Sequence, residues 1–261
     1  MRVGIIGGTG WLGGALGRSL VDKKLAEVIL LNRRGPQDYG GRAVVWANDL
    51  ADLVAQSDVI VVSVRPEDWA GLQLQAPGKL VISFMAGVGL STLAQCGGRV
   101  LRAMPNASAE IGASYSPWVA GAGVTAEDRA AAARVLGAIG SQEELPEEAQ
   151  LEVMTALSGS GPAYPALLAQ AMLAFLAERG VAPDVAARAV EATVCASARL
   201  LEGKVAEAPA LVQTFIDYRG TTCAGLETAE AKGFSAAVAA ALSAATDKAL
   251  AMRQANAQAA G

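Results

Sequence analysis

The sequence predicts an α/β protein: a doubly wound sheet over residues 1–146, followed by an all-helical domain over residues 147–261. Three observations predict it. Short β-branched apolar runs alternate with helical segments through the amino-terminal half, the signature of βαβ units and a parallel sheet buried on both faces. The strand signals stop after "EELPEEAQ". From there the chain reads as helix after helix, punctuated by "SGSGP", "RGVAPD" and "DYRGTT".

Six runs carry the strand signal in order: "RVGIIG", "EVILLN", "AVVWA", "DVIVVSV", "KLVISF" and "RVLRAMP". After the first, Leu12, Leu16 and Leu20 fall on one face of a helix. In the second half Leu168, Met172, Phe175 and Leu176 have the spacing of one helix face over residues 162–179, and Asp184 after Pro183 has the place of a cap. The segment 184–201, "DVAARAVEATVCASARLL", is small and apolar on nearly every side. Such a helix is buried all round, and a domain of roughly 110 helical residues has little interior to hold it. The helical domain is therefore expected to be a dimerisation domain, giving a homodimer or a multiple of dimers.

At 261 residues, 52% apolar and 18% charged, the chain is long enough for a full core. Its net charge of −4 and pI near 5.0 leave no global basic field, which argues against nucleic acid as a partner. Cys96, Cys195 and Cys223 are odd in number and lack metal-ligand spacing, as expected of buried thiols in a reducing compartment, so no metal is expected. Histidine is absent. That removes Ser-His and Cys-His nucleophile pairs, the commonest zinc ligand and the usual general acid at neutral pH. The apolar amino terminus raises the question of a signal peptide, but its glycine spacing has another explanation. The Ala-rich tail is broken by Asp247, Lys248 and Arg253, so no membrane span is expected and the location is read as cytoplasmic.

In "IIGGTGWLGGAL", Gly8, Gly10 and Gly13 form G-x-G-x-x-G directly after a strand and at the opening of a helix, with Thr9, Trp11 and Leu12 in the same turn. Glycines there permit a tight turn and let a pyrophosphate approach the helix amino end, the arrangement of a Rossmann-type dinucleotide site. About 20 residues on, "LLNRR" places Asn32, Arg33 and Arg34 where NAD sites carry an acid. No carboxylate there repels a 2′-phosphate and two guanidiniums are available to hold it, which favours NADPH over a merely solvated basic turn. Ligands of such sheets bind beyond the carboxyl ends of the strands, so Val64, Arg65, Pro66, Ala86, Gly87 and the segment Met104 to Asn106 should line a nicotinamide crevice, with Asn48 in the same cofactor set. Each alone reads equally as a plain strand exit.

At these residues the sequence resembles the pyrroline-5-carboxylate reductases, which reduce a cyclic imine with NAD(P)H in the last step of proline synthesis. The resemblance covers nearly the whole chain and is strongest at "MPN" and "LSGSGPAY". It implies an NADPH domain followed by a helical domain that interlocks with a partner subunit. It also implies a role for "DYRGTT". Family members usually carry Ser-Pro-Gly-Gly-Thr-Thr there, a loop that holds the substrate carboxylate with its second threonine near the imine nitrogen. By position Thr222 is that threonine, and Gly220 and Thr221 belong to the loop. Asp217, Tyr218 and Arg219 depart from the pattern, and the segment from Pro209 to Thr222 is one residue shorter than usual. Losing the first glycine removes a residue suited to positive φ, so the loop is expected to be reshaped.

Hydride transfer to an imine needs a nicotinamide against the carbon, a hydrogen bond or proton at nitrogen and an anchor for the carboxylate. A cyclic imine that arrives protonated suits a chain without histidine. The resemblance then implies Thr222 at the nitrogen; the departing residues add Tyr218 as a candidate proton donor and Arg219 as a candidate carboxylate anchor, with Asp217 either repelling the carboxylate or pairing with Arg219. The alternatives are a solvated surface loop, a reductase of another cyclic imino acid, and an NADPH-binding dimer without turnover. Oxidation of a 3-hydroxy acid on a related plan ranks lower, because helix 162–179 lacks the lysine such enzymes use.

Overall fold

The computed structural model of the chain describes residues 1–259. It divides into two compact units, residues 1–161 together with the chain from Ala244 onward, and Pro162–Ser243. The first unit is built on eight strands: β1 Arg2–Ile6, β2 Glu27–Leu31, β3 Val45–Trp46, β4 Val59–Val62, β5 Leu80–Ser83, β6 Arg99–Ala103, β7 Ser114–Ala120 and β8 Gly140–Glu144. They form one sheet in the order β3-β2-β1-β4-β5-β6-β7-β8. β1 to β6 run parallel, β7 is antiparallel to β6, and β8 is parallel to β7. Strand order reverses between β1 and β4, which is the switch point of a doubly wound, Rossmann-type sheet.

The near-continuous apolar runs follow from burial on two faces. Ile5 and Val61 point into one core with Leu16 and Leu20 of α1 Trp11–Asp22, while Ile6, Ile60 and Val62 point into the other with Leu53 of α2 Leu50–Gln56. Asp49 caps α2 by accepting from the Asp52 amide at 2.8 Å. Two short helices follow, α3 Trp69–Leu72 and α4 Leu90–Leu93. α5 Ala126–Gly137 then opens on a capping box between Thr125 and Asp128. Arg99 reaches Asp128 and, by its hydrogen bond, holds that carboxyl below the usual range.

β7 and β8 lie outside the six expected strands. β7 carries serines and a proline, and β8 is a polar edge strand, so neither shows the apolar run by which the inner strands are legible.

The compact units also divide elsewhere than at the expected 146/147 boundary. α6 Glu148–Met154 belongs with the sheet because Leu151 is buried beside Met104 and Val119, and an ion cluster fixes it there. Arg102 of β6 is fully buried, with Nη1 2.6 Å from Glu148 Oε1 and 2.9 Å from Glu152 Oε1. Arg253 Nη1 lies 3.4 Å from the same Glu152 oxygen, and Glu148 Oε1 accepts from the Leu90 amide at 2.8 Å.

The remaining helices are α7 Ala163–Glu178, α8 Pro183–Glu191, α9 Ala208–Asp217, α10 Thr221–Ala231 and α11 Phe234–Ala259, whose last turns, from Ala244, belong to the first unit. α7 matches the expected 162–179. The single helix expected over 184–201 is instead α8, a π-helical turn Ala192–Ala196 and a 3-10 turn Ser197–Leu201. It is largely exposed within one chain rather than buried all round, and its Cys195 is exposed with it, whereas Cys96 and Cys223 are buried as expected. Asp184 does not cap α8; Pro183 takes the first helical position, and Asp184 pairs one turn on with Arg188 at 3.0 Å. No described helix is long and apolar enough to cross a membrane.

The last turns of α11 close onto the loop after β5. Gly87 there has φ +73°, and a Cβ would lie 2.7 Å from Met252 Cβ and 3.3 Å from the Arg253 amide nitrogen. Gly87→Ala combines a left-handed alanine, about 1–2 kcal/mol, with overpacking of about 1–3 kcal/mol. We expect a loss of about 2–5 kcal/mol, read as a lower urea midpoint at unchanged slope.

Candidate active site

The glycine turn between β1 and α1 is wedged at the switch point. The Gly7 amide donates to the Leu31 carbonyl at 2.9 Å, and at φ +84° a Cβ on Gly7 would run into the Ser63 carbonyl oxygen. Gly13 packs α1 onto this turn, since a Cβ there would lie 2.6 Å from the Gly7 oxygen. α1 begins after Gly10 with no side-chain cap and no acid in its first turn, so its amide end is open to an anion.

A cleft of about 800 Å³ opens at this point. Gly7, Thr9 and Gly10 line it from the turn, Asn32, Arg33, Arg34 and Gln37 from the exit of β2, and Ser63, Val64, Arg65, Glu67 and Asp68 from the exit of β4. Asn32 organises the β2 side: its Nδ2 donates to Thr9 Oγ1 at 3.1 Å and its Oδ1 accepts from the Arg34 amide at 2.9 Å. Pro66 starts the 3-10 turn Pro66–Asp68 that carries Glu67 and Asp68. The glycine cradle, the open helix end and the acid-free β2 exit suit a dinucleotide with a 2′-phosphate.

Several expected cofactor residues lie outside this cleft. A Cβ on Gly8 would meet the Leu30 side chain, so Gly8 serves packing against β2. Leu12 packs on the core and Trp11 is exposed at the start of α1. Asn48 donates through both its backbone nitrogen and Nδ2 to Asp52, each at 2.9 Å. Ala86 packs on the Met104, Val119 and Leu151 cluster, and the Gly87 carbonyl accepts from Asn256 Nδ2 at 2.9 Å. Asn106 caps the 3-10 turn Ala107–Ile111 through Oδ1, and its Nδ2 donates to Ser158 O at 2.7 Å. That bond ties "MPN" to a π-helical turn, Thr155–Gly159, inside "TALSGSG". Sequence reasoning missed Gly7, Ser63, Glu67 and Asp68. The glycine doublet pointed at Gly7, while the acids lie one turn beyond the strand exit.

In the second unit "DYRGTT" joins α9 to α10. Arg219 takes φ +54°, the left-handed conformation that a glycine adopts more readily, so a non-glycine residue strains the turn there. Gly220 is the N-cap and offers no side chain, leaving the first-turn amides of Thr221 and Thr222 without a capping acceptor. A second cavity, of about 490 Å³, is lined by Asp217, Arg219, Gly220, Cys223 and Glu227 among others. Asp217 accepts from Gln213 at 2.8 Å and forms no ion pair with Arg219, whose guanidinium has no carboxylate partner among the described residues. Tyr218 is 85% exposed, its ring over Gly220. Burial pushes the Cys223 thiol up, helped by a hydrogen bond with Glu227 and the charges of Glu227 and Asp217, so it stays protonated.

Residues 148–252 match the family model for pyrroline-5-carboxylate reductase dimerisation. Residues 2–87 match that of the coenzyme F420-dependent NADP oxidoreductases. A pyrroline-5-carboxylate reductase of Pseudomonas aeruginosa is 34% identical over 206 residues, covering 76% of this chain and 76% of that one. The chain belongs to the pyrroline-5-carboxylate reductase family. A family member from Synechocystis is 32% identical over 251 residues, covering 91% of this chain and 93% of its own. The 1-pyrroline-5-carboxylate reductase of Streptococcus pyogenes superposes with a TM-score of 0.84 at 28% identity, over 96% of this chain and 98% of that one. Within this pyrroline-5-carboxylate reductase fold, the dimerisation match takes in "LSGSGPAY", the Asp217–Thr222 loop and α10.

Arg219→Gly should relieve about 1–2 kcal/mol of left-handed strain against about 0.5–1 kcal/mol of added unfolded-state entropy. A net gain of about 0.5–1 kcal/mol is expected, seen as a higher thermal midpoint at fixed protein concentration. A fall instead would mean that the guanidinium contributes more than its backbone strain costs.

Proposed function

We propose that the chain catalyses NADPH-dependent reduction of a cyclic imine carboxylate, 1-pyrroline-5-carboxylate, to proline. The observation that carries this reading is the family match along both halves of the chain, joined to a cofactor cleft whose β2 exit carries no acid. Bound in that cleft, NADPH supplies the hydride that the imine carbon accepts. Gly7, Gly10 and the open end of α1 receive the pyrophosphate, and Arg34 with Arg33 receives the 2′-phosphate.

On the substrate side Thr222 orients the imine nitrogen, which carries its own proton, and the first-turn amides of α10 with Arg219 hold the carboxylate. Tyr218 is the candidate proton donor for an imine that arrives unprotonated. Asp217 and Glu227 line the same cavity as Arg219 and Gly220, so the carboxylate is held on the Arg219 and amide side of it.

The assembly in this reading is a homodimer, built through the helices and working in the cytoplasm. Of residues 162–243 only Ala186, Val190 and Cys223 are buried, while Leu167, Phe175, Leu200 and Val205 are each more than half exposed. A second copy is the occupant that a dimerisation domain calls for.

Stopped-flow oxidation of NADPH with five- and six-membered cyclic imino acids tests the reaction. Thr222→Ala should lower kcat by about 10- to 100-fold, and Arg34→Ala should weaken NADPH by about tenfold with NADH little changed. No turnover of any imine by the wild type would leave a cofactor-binding dimer. Preference for the six-membered ring would move the substrate assignment. For assembly, light scattering should give twice the 26.5 kDa of one chain or a multiple of that. A monomer at micromolar concentration would rule the dimer out.

A further inference from the structure

Arg33 and Arg34 both line the cleft, but their surroundings differ. The Arg34 guanidinium makes no hydrogen bond or ion pair among the described residues. Arg33 Nη1 lies 3.4 Å from Asp68 Oδ1, across the cleft on the β4 side. On the β4 side itself, Arg65 Nη1 lies 3.9 Å from Glu67 Oε1. The wall facing the acid-free β2 exit thus supplies the carboxylates that β2 lacks.

In the Arg33–Asp68 pair the carboxylate is the fixed member. Asp68 sits in a 3-10 turn begun by Pro66, its amide donating to the Arg65 carbonyl at 3.0 Å. Its side chain is 32% exposed, against 85% for Arg33. A phosphate entering beside Arg33 must therefore draw the arginine away from a carboxylate that stays, and must itself sit near that negative charge.

We propose that Asp68 is a specificity-determining residue for the cofactor: it holds Arg33 and opposes a 2′-phosphate, so Arg34 carries most of the preference for NADPH. This rests on reading the cleft as the NADPH site. The negative charge acts on the 2′-phosphate, which NADH lacks, while the pyrophosphate is common to both cofactors. Asp68 therefore lowers the ratio of the two affinities rather than affinity in general. The preference is then weaker than two unpaired arginines would produce.

The test is fluorescence titration of the full-length protein with NADPH and NADH, for wild type, Asp68→Asn, Asp68→Glu, Arg33→Ala, Arg34→Ala and Asp68→Asn/Arg33→Ala. Asp68→Asn should raise the NADPH-to-NADH affinity ratio about three- to tenfold, through tighter NADPH binding. The gain should shrink as salt rises toward about 1 M, because the interaction lies at an exposed surface. Asp68→Glu, which keeps the charge, should stay near the wild-type ratio. Arg33→Ala should cost more NADPH affinity in the Asp68→Asn background than in the wild type. An unchanged ratio in Asp68→Asn, with Arg34→Ala still weakening NADPH, would overturn this inference and leave the cofactor reading intact. Equal loss of both cofactors in Asp68→Asn would make the residue a support of its turn only, and would also overturn it. If neither arginine variant affects NADPH, the cofactor reading itself fails and the inference falls with it.

Discussion

The absence of any side chain at Gly7 is the constraint on which the cofactor half depends. β1 lies between β2 and β4, and the chain leaving it must turn under the Ser63 carbonyl with the Gly7 amide bound to Leu31. Only at φ +84° does the turn return α1 across the strand ends. Gly13 then lets the helix settle on the Gly7 oxygen. Those contacts put the open amide end of α1 at the switch point, between the Asn32–Arg34 exit and the Ser63–Asp68 exit, and so make a cleft there.

A second element of order is electrostatic and hidden. Arg102, one residue from the end of β6, meets Glu148 and Glu152 from α6, and Arg253 of α11 meets Glu152. Two arginines and two glutamates balance, so charges that would be costly singly are held as one group. A cluster of this kind contributes less through net stability than through placement. It sets α6 and the end of α11 against the sheet, next to the β5 loop at Ala86 and Gly87 and the bond from Asn106 to Ser158.

The helical unit faces the opposite problem, apolar surface without an interior. α7 has no buried residue and α8 has two, although α7 is rich in Ala and Leu and α8 in Ala and Val. Within one chain such helices leave on the surface what a core would bury, and the proposed second copy is the economical remedy. The same unit carries the Asp217–Thr222 loop, in which Arg219 keeps a glycine conformation at a cost in strain. Backbone strain retained beside a candidate substrate loop is a common mark of a site rather than of a connector.

The sequence by itself determined the inner sheet, the glycine turn, the acid-free end of β2, the family and the helical character of the second half. Each is written in local periodicity or in a motif whose residues are neighbours in the chain, so no distant contact is needed to read it. Tertiary structure alone decided that Gly7 is the residue at positive φ and Gly8 a packing residue. It decided too that Asn48 and Asn106 are occupied by Asp52 and Ser158, and that Asp68 stands opposite Arg33. It brought α6 and the end of α11 into the unit of the sheet, 46 and 50 residues from Arg102 in the case of Glu148 and Glu152. Those outcomes depend on which carboxylate meets which cation across strands distant in sequence. Charge pairing between elements distant in sequence leaves no periodic signature along the chain, because its partners are chosen by proximity in the folded molecule and not by spacing.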